Sequence, residues 1–382
     1  MNISGAKTAI ILGLAIVIGV AAISIGLGTL DMQVSDTSTS DTPRIDSTES
    51  ENNIQPQQAS IDKSRFKITP KLVGIADYIN TSPEDLQNAM KDKVILYDIW
   101  TYSCVNCIRT LPYITAWDEK YSDQGLLIIG IHSPEFEFEK ETENVKRAVA
   151  KYDINYPVVL DNDMETWSAF ENRYWPRKYI ADHEGYIRYD HIGEGGYKES
   201  ERKIQELLLE RSIAFGMEFE QMNSTVDIDE FVHTNGPTPE IYFGYKLALP
   251  NRNYLANSNG FSPNNIVSYV LPTTLTPNSF HMGGDWHNGK DGMSLISESG
   301  DIVLPFYAKE VNIVASGNAS LSITLDGNVI PEIHAGMDVM DGLVDVSDAR
   351  LYNIISSPNA DEHILKISTS SPGFEIFTFT FG

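Results

Sequence analysis

The sequence predicts an α/β domain followed by an all-β sandwich of jelly-roll type, carried behind one N-terminal transmembrane helix. Three observations carry that reading. Residues Thr8 to Leu30 form 23 consecutive positions without charge, rich in Ile, Leu, Val, Ala and Gly, between Lys7 and Asp31. From Phe66 to about Arg211 short apolar runs alternate with helical patterns, as strands and helices do in one α/β unit. From Thr238 to Gly382 short runs of period-2 character are separated by Gly, Asn, Asp and Pro, and long helical patterns are absent.

Taken in order, the apolar stretch comes first. At about 1.5 Å per residue it spans a hydrocarbon core of about 30 Å. It exceeds the apolar region of about 7 to 15 residues found in cleavable signals and shows no obvious cleavage site near its end, so residues 1–30 read as an uncleaved anchor. With Lys7 on the cytoplasmic side, the chain is expected to be a single-pass protein of the cell membrane with everything after Leu30 extracytoplasmic. Residues 31–64 are rich in Ser, Thr, Asp and Gln, with too few large apolar residues to offset chain entropy, and are read as a disordered acidic linker.

Residues 65–214 form the α/β domain. Val94 to Ile99 and Leu126 to Ile131 are buried-strand candidates. Between them Leu111, Ile114 and Trp117 share one face of a helix over 106–121, and Val145, Ala148, Val149 and Tyr152 repeat the pattern of a second. A short strand is expected at 157–160, a hairpin over 179–188 turning at Glu184-Gly185, and a closing helix over 199–214. Residues 215–236 are a connector, and 237–382 the sandwich, with strands at 321–325 and 374–381.

The balance of 53 Asp plus Glu against 28 Lys plus Arg, a formal charge of -25, disfavours nucleic acid and anionic membrane surfaces as partners. Cysteine usage is more pointed. There are 2 cysteines, Cys104 and Cys107. A bridge between them would close too short a loop to constrain much of the unfolded chain, so a structural staple gains little. Zinc would need two further N or S ligands, and the 8 histidines show no paired spacing, so no metal and no cofactor is expected. The pair stands directly after a strand and before a helix, where unpaired N–H groups and the helix dipole favour a thiolate. Cys104 at the helix mouth is then the attacking sulfur, and Cys107 one turn further in resolves the mixed disulfide.

The run Asp98-Ile99-Trp100, then Cys104 to Cys107, then Pro112, resembles the thioredoxin pattern. More narrowly, residues 98–113, the stretch Ile131-His132-Ser133-Pro134-Glu135-Phe136, and Asn172-Arg173-Tyr174-Trp175-Pro176 resemble the periplasmic portion of DipZ proteins within the TlpA-like branch. Thr238 to Gly244, Ser322 to Gly327 and the closing Phe379 to Gly382 extend the resemblance to about residues 65–382. It implies a thioredoxin-like first domain and an enzyme, a protein-disulfide oxidoreductase. Under it Cys104 and Cys107 are the redox-active pair, Asp98 accepts the Cys107 proton, and Pro176 is a cis-proline that presents the backbone of Trp175 to substrate. Trp100, Tyr102 and Trp175 are the candidate substrate-binding residues. One departure is large: DipZ proteins carry a multi-helix membrane domain, whereas this chain has one anchor, so an unidentified membrane electron-transfer partner is implied.

The second domain resembles a carbohydrate-binding module, which makes glycan a candidate partner through Trp286, Tyr254 and Phe261, although aromatics in a sandwich more often form the core. The expected function is a reductase or isomerase acting on exported protein thiols and disulfides. Two alternatives stand beside it: a glycan- or partner-binding surface protein on an inactive thioredoxin scaffold, and a thiol peroxidase, suggested by Ile131 to Pro134 after a redoxin-like strand.

Overall fold

The computed structural model describes residues 62–218, 224–232, 236, 238–252 and 254–382. The expected anchor at 8–30 and nearly all of the acidic linker lie outside the described residues, as does part of the connector. Among the described residues no helix is long and apolar enough to cross a membrane.

The first part is a six-stranded mixed sheet. In chain order it runs β1 (Asp77–Ile79), α1 (Pro83–Ala89), β2 (Val94–Trp100), α2 (Val105–Tyr121), β3 (Leu126–His132), α3 (Thr142–Lys151), β4 (Val158–Leu160), α4 (Glu165–Ala169), β5 (Arg177–Ala181), β6 (Ile187–Ile192) and α5 (Tyr197–Phe215). The sheet order is β1-β4-β3-β2-β5-β6. All seven residues of β2 are buried, as befits a strand covered on both faces, and β2 pairs parallel with β3 and antiparallel with β5. Leu111, Ile114 and Trp117 of α2 all face the core, as their spacing predicts. The hairpin β5-β6 turns where expected, with the Gly185 N–H donating to the Asp182 carbonyl at 2.8 Å. The short elements β1, α1 and α4 were not anticipated. Among them α1 is opened by Ser82, whose Oγ accepts from the Asp85 N–H at 3.2 Å, a local N-cap.

The second part is one antiparallel sheet of ten strands. These are β7 (Ile241–Tyr242), β8 (Ile266–Tyr269), β9 (His281–Asn288), β10 (Met293–Leu295), β11 (Gly300–Ser316), β12 (Ala319–Leu325), β13 (Asn328–Val329), β14 (Leu343–Val346), β15 (Arg350–Thr369) and β16 (Glu375–Phe381), with the short helix α6 (Tyr245–Asn251) after β7. The long strand β11 holds it together. Its first half lies between β15 and β9, and its second half between β15 and β16. Alternate residues of β12 (Leu321, Ile323, Leu325) enter the core while Ser320 and Ser322 face out, the period-2 pattern read from the sequence. Trp286 is fully buried in this core and its indole N–H donates to the Gly283 carbonyl, so it presents no platform to a sugar; Tyr254 and Phe261 pack against the same core.

The two parts share a core of their own. Phe136 and Phe138, in the loop after β3, pack on Phe377 of β16 at ring-centroid distances of 5.3 and 4.6 Å. Arg109 of α2 reaches Glu310 of β11 at 2.7 Å and lies over the Phe231 ring at 3.5 Å. The second part is therefore docked against the helix that follows the cysteines.

Candidate active site

Cys104 is the N-cap of α2, in extended conformation, and its sulfur accepts the Cys107 N–H at 3.3 Å. That bond is the capping interaction of any helix start, here made by a sulfur, and it places Cys104 at the positive end of the dipole. Both cysteines are free thiols, Cys104 half-buried and Cys107 buried. Burial, followed by the neighbouring Cys104 sulfur, pushes the Cys107 thiol well above its ordinary range. Cys107 thus needs a base before it can act as a nucleophile.

Behind it lies Asp98, buried at 1% exposure in the middle of β2. Its Oδ1 makes no hydrogen bond, and burial raises its pKa to about 7, the attraction of Lys178 opposing. Lys178, on β5, stands in register opposite Asp98 and is itself fully buried, its Nζ donating to the Gly193 carbonyl at 3.2 Å. Burial lowers its pKa to about 8 while the Asp98 charge holds it up. A carboxyl and an amine that both titrate near neutrality thus sit behind the buried thiol. Lys178 was missed in the sequence because its relation to Asp98 depends on the β2-β5 register.

The peptide bond between Trp175 and Pro176 is cis, as the resemblance implied. Trp175 is half-buried, its indole N–H donating to the Ser133 carbonyl at 2.9 Å. Trp175 and Cys104 line one cavity of about 200 Å³, together with Ser103, Glu135, Tyr242 and Thr380. The other two substrate-binding candidates are corrected by the structure. Trp100 is fully buried with its ring edge-on to His132, and Tyr102 is buried with its hydroxyl donating to the Ala349 carbonyl at 3.0 Å. Neither offers a face to substrate.

Glu139 is another residue the sequence did not single out. Fully buried, it accepts from Ser103 Oγ at 2.5 Å and from the Glu135 and Phe136 N–H groups at 2.6 and 3.0 Å. It ties the residue before Cys104 to the loop after β3. Burial raises its pKa, with these hydrogen bonds opposing.

Residues 75–208 match the Redoxin family and residues 238–382 the thioredoxin-like C-terminal domain family. Thiol-disulfide oxidoreductase YkuV of Bacillus subtilis is 30% identical over 141 residues, which cover 94% of that protein and 37% of this chain. The chain belongs to the thioredoxin-like thiol-disulfide oxidoreductases. This oxidoreductase is also similar, through both of its parts, to Protein DipZ of Mycobacterium bovis and of Mycobacterium tuberculosis, at 32% identity over 316 residues, or 82% of this chain. It spans 42% of the length of those relatives. Among solved structures, a thioredoxin-like protein in the oxidized form is 29% identical, covering 38% of this chain and 97% of that one, with a TM-score of 0.35.

Proposed function

We propose that this oxidoreductase works through the Cys104/Cys107 dithiol as a reductase or isomerase of exported protein disulfides. One observation carries the reading: a half-buried cysteine caps a helix at a cavity, and a buried cysteine one turn on is within electrostatic reach of a buried carboxyl with a pKa near 7. The Cys104 thiolate attacks a substrate disulfide, forming a mixed disulfide and releasing the first substrate sulfur. Asp98 then takes the Cys107 proton, and Cys107 attacks the Cys104 sulfur, releasing the second substrate sulfur and leaving the enzyme as the disulfide. The cis-Pro176 bond and Trp175 hold the substrate main chain beside the sulfurs. The reading also takes residues 8–30 as a membrane anchor, the folded residues as extracytoplasmic, and the second part as a jelly-roll-like sandwich beginning near residue 237, with a membrane partner supplying electrons. Cys104→Ser is expected to abolish insulin reduction; unchanged turnover would overturn the proposal.

A second reading concerns the ten-stranded part alone. A groove of about 670 Å³ lined by Ser320, Ser322, Ser368 and Asp301 together with Leu271 and Leu343 suits a chain with both polar and apolar faces, such as a glycan. Calorimetric titration with oligosaccharides tests it: heat that is lost in Asp301→Ala supports glycan binding, and no heat with any oligosaccharide removes it.

A further inference from the structure

The cavity at Cys104 is walled on one side by the second part of the chain, and that wall carries its own titratable groups. Tyr242 of β7 donates its hydroxyl to Glu135 Oε1 at 2.9 Å and also meets Glu240. All three line the cavity that holds Cys104. Glu135 is half-buried and Glu240 is an exposed residue whose carboxyl reaches the Tyr242 hydroxyl. The phenol has one proton and two carboxyl neighbours. It can donate to one of them only, so the other must either carry a proton and donate to the phenol oxygen or face it as an unpaired acceptor. With that proton on Glu240, a continuous chain runs from the Glu240 carboxyl through the Tyr242 hydroxyl to the Glu135 carboxylate and holds one proton more than the ionised state.

The surroundings favour keeping that proton. Burial, then the charges of Glu240 and Glu139, push Glu135 well up, with the Tyr242 hydrogen bond and then Lys246 opposing. Burial pushes Glu240 up as well, and burial together with both carboxylates keeps the Tyr242 hydroxyl protonated. Asp98 serves the buried Cys107, but it lies in the strand behind the helix and not on this wall.

We propose that Glu135, Tyr242 and Glu240 form a proton relay that protonates the sulfur leaving a substrate disulfide when Cys104 attacks it. The inference rests on Cys104 being the attacking sulfur. As the Cys104 sulfur bonds to one substrate sulfur, the substrate S–S bond breaks and the other sulfur departs with the electron pair. The Tyr242 proton passes to the Glu135 carboxylate and on to that sulfur, the Glu240 proton refills Tyr242, and Glu240, an exposed residue, is reprotonated from solvent. The second substrate sulfur is protonated in the same way when Cys107 resolves the mixed disulfide. Run backwards, the relay accepts the proton of an incoming thiol. This gives the second part of the chain a catalytic role in a site otherwise built by the first.

The discriminating experiment varies the leaving group. The full-length chain, reduced, is mixed in single turnovers with oxidised glutathione, whose alkyl thiolate leaves poorly without a proton, or with 5,5′-dithiobis(2-nitrobenzoic acid), whose acidic aryl thiolate leaves without one. Both probes are anionic, so a mere change of charge on the wall affects them alike. Tyr242→Phe and Glu135→Gln are expected to slow the glutathione reaction on the order of 10²-fold, the usual scale of general acid catalysis, and to leave the aryl reaction within about twofold. Equal losses on both probes would make the trio a shaping wall only, and no loss on either would make it idle; each result overturns the relay. Cys104→Ser is run beside them: loss of both reactions leaves the assignment of the attacking sulfur intact, whereas a surviving aryl reaction removes that assignment itself.

Discussion

Replacing Asp98 by asparagine removes one buried ionisable carboxyl from the middle of β2 and leaves its shape. In the folded chain burial raises the Asp98 pKa from 3.8 to about 7, so the folded state holds a proton that the unfolded chain has already released. A group raised in this way contributes its full stability below the unfolded pKa and loses it as pH rises through the folded one. The whole climb is worth about 4 kcal/mol at about 1.4 kcal/mol for each tenfold change in proton affinity, and about 2.5 kcal/mol of it falls between pH 5 and pH 8. The attraction of Lys178 is already contained in that pKa. The amide introduced by Asp98→Asn does not titrate, so the stability of the variant relative to the parent is expected to rise by about 2 to 3 kcal/mol on going from pH 5 to pH 8. Any fixed cost of the new amide cancels in that difference, and Lys178, without the Asp98 charge that holds its pKa up, titrates lower in the variant and adds to the rise. Urea unfolding of the dithiol form at the two pH values measures it. The same variant is expected to slow the resolving step, read as accumulation of the mixed disulfide. A stability difference that does not change with pH would refute the burial argument, and unimpaired resolution would refute the proton-acceptor role.

Further expectations follow from the same geometry. Lys178→Met removes the cation that opposes the rise of the Asp98 pKa, so the pH midpoint of Cys107-dependent resolution is expected to move alkaline from about 7; a midpoint that stays or moves acid contradicts the pairing of the two groups. Trp100→Ala and Trp175→Ala are expected to part company. The first empties a fully buried site and costs about 3 to 5 kcal/mol in urea unfolding, whereas the second, at the half-buried cavity wall, costs less stability and chiefly slows reaction with protein disulfides.

Much of the first part was legible because local signals and global packing agree. Val94 to Ile99 and Leu126 to Ile131 are apolar almost throughout and become the central parallel pair, and the cysteines fall where strand gives way to helix. The hairpin at Glu184-Gly185 is specified by its own turn residues. The short elements were missed for the opposite reason: β1 has three residues and owes its existence to pairing with β4, not to any period of its own. Trp100 and Tyr102 stand among the substrate-binding candidates in the sequence. Adjacency in sequence does not fix side-chain direction, and β2 carries the Trp100 side chain inward, where Gly130 leaves room for it; a Cβ there would come to 3.1 Å from the Trp100 indole nitrogen. Lys178, Glu139 and Tyr242 were invisible for a third reason. Each acts through a partner distant in sequence, Asp98 across the sheet, Ser103 across the loop and Glu135 from the other part of the chain.

Everything proposed for the site requires that Cys104 and Cys107 act together as one two-electron couple. Equilibrating the chain against glutathione buffers of graded poise, and counting free thiols by alkylation and mass, reads this out. The two cysteines are expected to convert together, both thiols or both in one bridge, with a midpoint nearer thioredoxin's about -270 mV than a strong oxidant's about -120 mV. Cysteines that react independently of one another, or a midpoint above about -150 mV, would contradict it.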